Sequence, residues 1–164
     1  MASPAPFDLT IRGGRVCNAD GCAMVDVGVA SGQVVALAPG LPPGREDVDA
    51  TGRWVLPGGI DSHCHIEQLS GMGVMCADDF YSGTVSAAFG GTTTILSFAA
   101  QHREDRIPDV VADYTRRARE KAVIDYGFHL ILTRPDTEAL TVHLPEVIRA
   151  GITSLKVYMT YDRL

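Results

Sequence analysis

The chain has 164 residues, of which 46% are hydrophobic, and a formal net charge of -6 at pH 7. This length suits one or two domains with a sizeable core, and the negative charge argues against nucleic acid or an anionic membrane as a partner. We find no apolar run of membrane-span length and no secretory signal. We therefore expect a cytoplasmic protein whose four cysteines are free thiols.

Residues 7–54 combine short alternating runs with frequent turn signals. Asp8–Arg12 and Met24–Val29 alternate between polar and apolar side chains, and Ser31-Gly32 is typical of a hairpin turn. Short strands with regularly spaced turns predict a small β-sandwich or a partial barrel. We assign residues 1–56 to a small β-sandwich segment.

Residues 55–65 read Val-Leu-Pro-Gly-Gly-Ile-Asp-Ser-His-Cys-His, an apolar run that ends in an acid and two histidines. Side chains two positions apart leave the same face of a strand, so His63 and His65 can reach one point, with Asp61 one step earlier. Imidazole is the commonest protein ligand for a metal ion. A bare His-x-His pair equally fits histidines with ordinary hydrogen-bond partners, so the motif alone leaves both interpretations open. Cys64 faces the other way, and we interpret it as a packing residue.

From Pro57 onward, predicted strands alternate with predicted helices. The first strand is expected to end at His65. The next three are expected to cover residues 92–98, 126–132 and 152–159. The first helix is expected to be capped by Asp78 or Asp79 and to run through Phe89. The second is expected from Pro108 onward, and the third over residues 138–150, where Pro145 is a potential break.

This alternation gives parallel strands joined by crossover helices. A doubly wound sheet usually has a glycine-rich nucleotide motif after its first strand, whereas functional side chains at strand ends are typical of the (β/α)8 barrel. We therefore predict an α/β fold in which residues 57–164 form the first half of a TIM barrel, about four βα units.

The fourth predicted strand carries Lys156 between the apolar Leu155 and Val157. If both neighbours pack on helices, Lys156 points into the barrel, where an ammonium group tends to lose its charge. A neutral amine can react with carbon dioxide to give a carbamate that bridges two metal ions. A Schiff-base lysine and a lysine that extends out of the barrel end are the alternatives. The strand alone favours the last of these, and the histidine pair favours the carbamate.

Four segments of the chain, taken in this order and spacing, resemble the D-hydantoinase and dihydropyrimidinase family of the amidohydrolase superfamily. They cover residues 56–65, 77–84 with 87–93, 123–129 and 152–161, and the resemblance runs from about Phe7 to Leu164. The resemblance implies a centre of two divalent metal ions, usually zinc, at which a shared hydroxide attacks the ring amide. His63 and His65 would hold the more buried ion, Lys156 would bridge both as N6-carboxylysine, and Tyr161 would polarise the substrate carbonyl or stabilise the oxyanion.

The resemblance also implies a substrate, a small cyclic amide, and a homodimeric or homotetrameric assembly. The side chains expected near the ring substituent, for which loop packing is an equal alternative, are Tyr158, Leu69, Met72, Val74 and Met75. His129 matches a family position, but we interpret it as a hydrogen-bonded core histidine, and His102 and His143 as surface or loop residues.

Other functions of this fold remain as alternatives. Glu67 follows the histidine pair where dihydroorotases have an arginine, and its charge would repel a carboxylate substrate, which argues against that activity. An allantoinase-like enzyme, a non-catalytic dihydropyrimidinase-like scaffold and a nucleotide-binding domain are further candidates. The family's other metal ligands belong to the fifth, sixth and eighth strands. We therefore expect the chain to be the N-terminal part of a longer protein and to be inactive alone.

Overall fold

The computed structural model describes residues 5–159, which divide into two compact units between Pro57 and Gly58. Within the described residues, no helix is both long enough and apolar enough to cross a membrane. The two units are described separately below.

The first unit consists of short strands arranged in two sheets. The strands are β1 (Leu9–Arg12), β2 (Arg15–Asn18), β3 (Gly21–Met24), β4 (Asp26–Ala30), β5 (Gln33–Ala38), β6 (Glu46–Asp49) and β7 (Trp54–Val55). One sheet has the order β5-β4-β1-β6, with β1 antiparallel to β4 and parallel to β6, and the other has the order β3-β2-β7. The short strands predicted from the sequence are confirmed, and the sandwich assignment stays a prediction.

Two of the four cysteines lie in this unit and form a disulfide. Cys17 on β2 and Cys22 on β3 are directly opposite in the hairpin register and are bonded to each other. The expectation of free thiols is therefore wrong for this pair, because the hairpin brings together two residues that no CxxC spacing identifies. Cys64 and Cys76 are free.

The second unit is a parallel sheet with helices between its strands. In chain order its elements are β8 (Gly59–Asp61), α1 (Phe80–Phe89), β9 (Thr92–Ala100), α2 (Ile107–Lys121), β10 (Asp125–Ile131), α3 (Leu144–Arg149) and β11 (Leu155–Lys156). The strand order β8-β9-β10-β11 follows the sequence, and all neighbouring strands are parallel. A doubly wound sheet reverses its order at a switch point, whereas this sheet always adds the next strand on the same side. The predicted alternation is confirmed.

Local signals explain where the first two helices lie. The Asp79 carboxylate accepts the Ser82 N–H at 2.8 Å as the N-cap of α1, and Gly91 follows the helix with φ +85°. Helix α2 has Pro108 in its first turn and buries an apolar stripe at helical spacing, formed by Val110, Val111, Tyr114 and Ala118.

Two predicted strands are shorter than expected. β8 ends at Asp61, so both histidines lie in the bend that follows and not on the strand itself. The fourth strand is limited to Leu155–Lys156 within the predicted range 152–159, because its register pairs only two residues with β10.

The third predicted helix is not broken at Pro145. A π-helical turn, Ala139–His143, leads directly into α3, and the Leu144 N–H bonds to the Ala139 carbonyl. Proline lacks an N–H and crowds the carbonyl four residues earlier, which the wider π turn accommodates. The burial of His143, which is 4% exposed in this turn, contradicts its interpretation as a surface or loop residue.

Candidate metal centre

The site begins where β8 ends. The Asp61 carboxylate accepts the backbone N–H of His63 at 3.0 Å, a local turn that bends the chain away from the strand direction. Asp61 is therefore engaged in shaping this turn. In the bend, the ring centroids of His63 and His65 lie 5.4 Å apart at an interplanar angle of 70°.

Phe98 on β9 is the common neighbour of the candidate ligands. Its ring is 3% exposed, and its centroid lies 4.8 Å from that of His63 and 4.6 Å from that of His65. The His65 ring is nearly parallel to it, at 14°. The Lys156 ammonium lies 4.6 Å from the same centroid. The structure therefore brings together the three side chains that the sequence singled out, around an aromatic residue that it did not.

Lys156 reaches this position although its neighbours are not packed as expected. Leu155 and Val157 are 44% and 57% exposed, so the premise that both are covered by helices is not met in the described residues. The ammonium of Lys156 also lies 5.4 Å from the Tyr158 ring. Two aromatic rings thus face this amine.

The ring of His65 is held by a hydrogen bond to a buried amide. Its Nδ1 lies 2.7 Å from Oε1 of Gln68, a residue that is only 9% exposed. Because a carbonyl oxygen can only accept, this contact favours the tautomer with the proton on Nδ1 and the lone pair on Nε2. Histidine ligands typically show this arrangement, in which the second ring nitrogen donates to a protein acceptor.

His129 is engaged at both ring nitrogens. Its Nε2–H donates to the Ser62 carbonyl at 2.9 Å, and its Nδ1 accepts from the Ser154 hydroxyl. The prediction that His129 is hydrogen-bonded is confirmed, although the residue is only half-buried, and no ring lone pair remains for a metal ion.

Cys64 lies between the two histidines in sequence but packs against the core cluster. Its backbone N–H and its thiol both approach the Leu96 carbonyl. Burial, and next the charge of Asp61, raises the pKa of the Cys64 thiol, which disfavours the thiolate that a metal ion would need. The interpretation of Cys64 as a packing residue agrees with this environment.

The donors present are compatible with a metal ion. With a Zn–N bond of about 2.0–2.1 Å, two imidazoles on one tetrahedral ion have ring centroids roughly 5 Å apart. The observed separation of 5.4 Å fits that spacing. In residues 5–159, no three His, Cys, Asp or Glu side chains form a group that could hold an ion. This part of the chain therefore offers two imidazoles and one amine as candidate donors.

The candidate substrate-contacting residues occupy different places. The loop after the histidines leaves Met72 87% exposed and pairs Leu69 with Met75 in an isolated bridge. Leu69 and Met75 line a groove of about 670 Å³ whose other walls come from the β9–α2 connection and α2, and this groove does not include the histidine pair. Tyr158 lies near Lys156. Tyr161 lies outside the described residues.

The Glu67 carboxylate is engaged by groups of α1 and α2, contrary to the argument based on its charge. Its carboxylate accepts from the Phe80 N–H at 3.1 Å and from Lys121 at 2.8 Å, and it lies 3.6 Å from Arg117. Because these groups satisfy it, Glu67 is not available to repel a substrate carboxylate. The missing arginine after the histidine pair remains the argument against dihydroorotase.

Three features of the site escaped the sequence analysis. Phe98 is identifiable only through its position at the C-terminal end of a buried strand. Gln68 lies three residues after His65, and nothing in its side chain type marks it. The Ser62–His129 contact joins residues that are distant in sequence, and it depends on the parallel pairing of strands.

Comparisons with known proteins extend this picture. No family model matches the chain. The D-hydantoinase of Ralstonia pickettii is 40% identical over 155 residues, which is 94% of this chain and 34% of that protein. The D-hydantoinase of Geobacillus stearothermophilus is 40% identical over 153 residues, 92% of this chain and 32% of that protein. The chain is a homologue of the N-terminal part of D-hydantoinases. It spans about one third of the length of these curated relatives.

Solved structures of D-hydantoinases and of a dihydropyrimidinase superpose closely on this chain. A D-hydantoinase structure matches with a TM-score of 0.86 at 41% identity, covering 95% of this chain and 34% of that one. The dihydropyrimidinase of Brevibacillus agri matches with a TM-score of 0.88 at 41% identity, covering 94% and 34%. A β-aspartyl dipeptidase at 16% identity and a TM-score of 0.65 shares the fold alone.

Proposed function

We propose that this protein functions in the metal-dependent hydrolysis of cyclic amides, opening hydantoin or dihydropyrimidine rings. The observation that carries the proposal is the convergence of His63, His65 and Lys156 on Phe98, in a chain homologous to D-hydantoinases. The family also suggests a cytoplasmic homodimer or homotetramer. The presence of all three candidate ligands favours an enzyme over a non-catalytic scaffold.

The proposed architecture is the first half of a (β/α)8 barrel preceded by a small β-sandwich. Its support is the sequential, all-parallel order of the four strands in the second unit. In such a barrel, side chains that follow the C-terminal ends of strands form the active site. His63 and His65 follow β8, and Lys156 is the last residue of β11, as this rule requires.

The chain's own residues would act as follows. His63 and His65 would bind the more buried ion through neutral imidazoles, with the proton of His65 held on Nδ1 by Gln68. The neutral amine of Lys156 would attack carbon dioxide, forming an N–C bond and releasing one proton, to give an anionic carbamate. When bound, two divalent metal ions, zinc in the family, would supply Lewis acidity and an activated water.

Four side chains are proposed to meet the substrate. Tyr161 would donate a hydrogen bond to the developing oxyanion, and Tyr158, Leu69 and Met72 would contact the ring substituent. Because the family implies two more histidines and an aspartate as ligands, we expect the 164 residues alone not to open hydantoin or dihydrouracil. Metal-dependent turnover by this chain would contradict that expectation.

The test of the metal site is a Zn²⁺ titration of the chain, followed through the ring resonances of its five histidines. We expect His63 and His65 to respond together and at lower Zn²⁺ concentration than His102. A double variant, His63→Ala with His65→Ala, should lose this response, whereas His102→Ala should keep it. An equal response of all histidines, or none at the pair, would remove the proposal.

A further inference from the structure

We propose that Gln68 is a positioning residue that selects the tautomer and the ring orientation of His65, so that Nε2 is the free nitrogen. This inference deepens the proposed function and depends on it for its purpose. In this proposal, Gln68 contacts His65 and touches neither the metal ions nor the substrate. The geometry that supports it lies entirely within the second unit.

The stacking on Phe98 alone does not orient the His65 ring. A half-turn of the His65 ring about its Cβ–Cγ bond returns it to the same plane, 14° from that of Phe98, but exchanges the positions of Nδ1 and Cδ2. Only a partner at the ring edge distinguishes these two states. The Gln68 Oε1, 2.7 Å from Nδ1, is that partner, because the flipped ring would lose the bond.

Gln68 can fill this role because its own position is fixed. Its backbone carbonyl accepts the Cys76 N–H at 3.0 Å, and its side chain is almost fully buried. A buried amide that lost its partner would be left with an unsatisfied oxygen, which is unfavourable. The hydrogen bond between His65 and Gln68 therefore fixes the orientation of both side chains.

The residue before Gln68 anchors the bend to two helices. Glu67 has φ +49°, its N–H bonds to the Asp78 carbonyl at 2.9 Å, and its own carbonyl accepts from Arg117 at 2.6 Å. Its carboxylate accepts from the Phe80 N–H at the start of α1 and from Lys121 at the end of α2. Hydrogen bonds of the Glu67 backbone and of its carboxylate thus fix the loop that places Gln68 next to His65.

The direct test is the tautomer of His65, read from the nitrogen-15 shifts of its ring in the 164-residue chain at a pH where the ring is neutral. We expect the Nδ1–H form in the wild type. A wild-type ring in the Nε2–H form would overturn the inference, because the amide would then be donating to Nδ1. This measurement needs neither a variant nor a metal ion.

Variants then separate positioning from folding. Gln68→Glu keeps an acceptor and should keep the Nδ1–H form, whereas Gln68→Leu removes the acceptor and should give a mixture of tautomers. Gln33→Leu, the same change at an exposed position of β5, is the matched control. An unchanged tautomer in folded Gln68→Leu would overturn the inference.

The Zn²⁺ response of His65 is the second readout. Loss of a ligand's hydrogen-bond partner typically weakens metal binding about 10–100-fold. We expect a weakening of this size for Gln68→Leu, with recovery in Gln68→Glu. If the wild-type pair shows no Zn²⁺ response but the tautomers change as expected, the proposed metal site fails and the assignment of the hydrogen bond stands.

Discussion

The Nε2–H of His129 donates to the carbonyl oxygen of Ser62 at 2.9 Å, and this bond links the third parallel strand of the second unit to the bend that carries the histidine pair. The other ring nitrogen accepts from the Ser154 hydroxyl, just before β11. One neutral imidazole thus joins the segments that carry His63 and Lys156. It holds the site together without being a candidate ligand.

Replacement of His129 by alanine should loosen this connection. Two hydrogen bonds are lost, and each typically contributes about 0.5–1.5 kcal/mol, so we expect the free energy of unfolding to fall by about 1–3 kcal/mol. Amide exchange of Ser62 and His63 should accelerate more than that of α2. Urea unfolding and hydrogen exchange measure both effects. His102→Ala, on the β9–α2 connection, should leave both unchanged, and equal losses in the two variants would contradict the role of His129.

Phe98 should contribute far more to the free energy of unfolding than the exposed Phe89 does. It is 3% exposed, and a buried Phe→Ala change typically costs about 3–5 kcal/mol. Phe89 at the end of α1 is 91% exposed, and its replacement by alanine should change the free energy of unfolding by about 0.5 kcal/mol or less. Denaturant unfolding of the two variants tests this contrast. Phe98→Leu retains most of the volume, so it should keep much of the stability while altering the ring resonances of His65.

The local parts of this fold were predictable because their causes are local. The α1 cap at Asp79 depends on residues within one turn, and the buried stripe of α2 depends on helical spacing. The parallel alternation of elements follows from the same kind of pattern. These features need no knowledge of distant contacts.

The parts that failed depend on long-range pairing. The Glu67 carboxylate is paired with Lys121 and Arg117, 54 and 50 positions later, so the expectation that its charge would repel a substrate carboxylate does not hold. The length of β11 depends on its register with β10, and His143 is buried in a π turn that contacts α2. Spacing rules alone do not determine any of these.

Glu67 should make the stability of the chain sensitive to acid. Burial raises the pKa of this carboxyl, but the hydrogen bonds from Lys121 and the Phe80 N–H, with the charge of Arg117, outweigh it, so the pKa lies below its ordinary value of 4.5. A group with a lowered pKa in the folded state contributes stability above its unfolded pKa. That contribution is lost as the pH falls below about 4.5 and through the folded pKa.

Glu67→Gln isolates this effect. Because a hydrogen bond to a charged group contributes about 1.5–3 kcal/mol, we expect the variant to lose that much stability at pH 7 and to show a flatter decline in acid. Urea unfolding between pH 7 and pH 3 measures both. Glu104→Gln, at an exposed position, should keep the wild-type profile. Parallel acid profiles for the wild type and Glu67→Gln would contradict the assignment.

The two lysines of the chain offer a direct test of the proposed carbamate. Carbamate formation requires a neutral amine, since the nitrogen lone pair attacks carbon dioxide. Lys121 lies 2.8 Å from Glu67 and 3.4 Å from Asp79, and the hydrogen bond with Glu67 raises its pKa, so it should stay protonated and unreactive. The amine of Lys156 lies 4.6 Å and 5.4 Å from the ring centroids of Phe98 and Tyr158 and, within residues 5–159, forms no ion pair with a carboxylate. With carbon-13 bicarbonate and Zn²⁺ at mildly alkaline pH, we expect a carbamate signal that Lys156→Gln removes and Lys121→Gln retains. A signal that follows Lys121, or that survives in Lys156→Gln, would show that Lys156 is not the carboxylated residue in this chain.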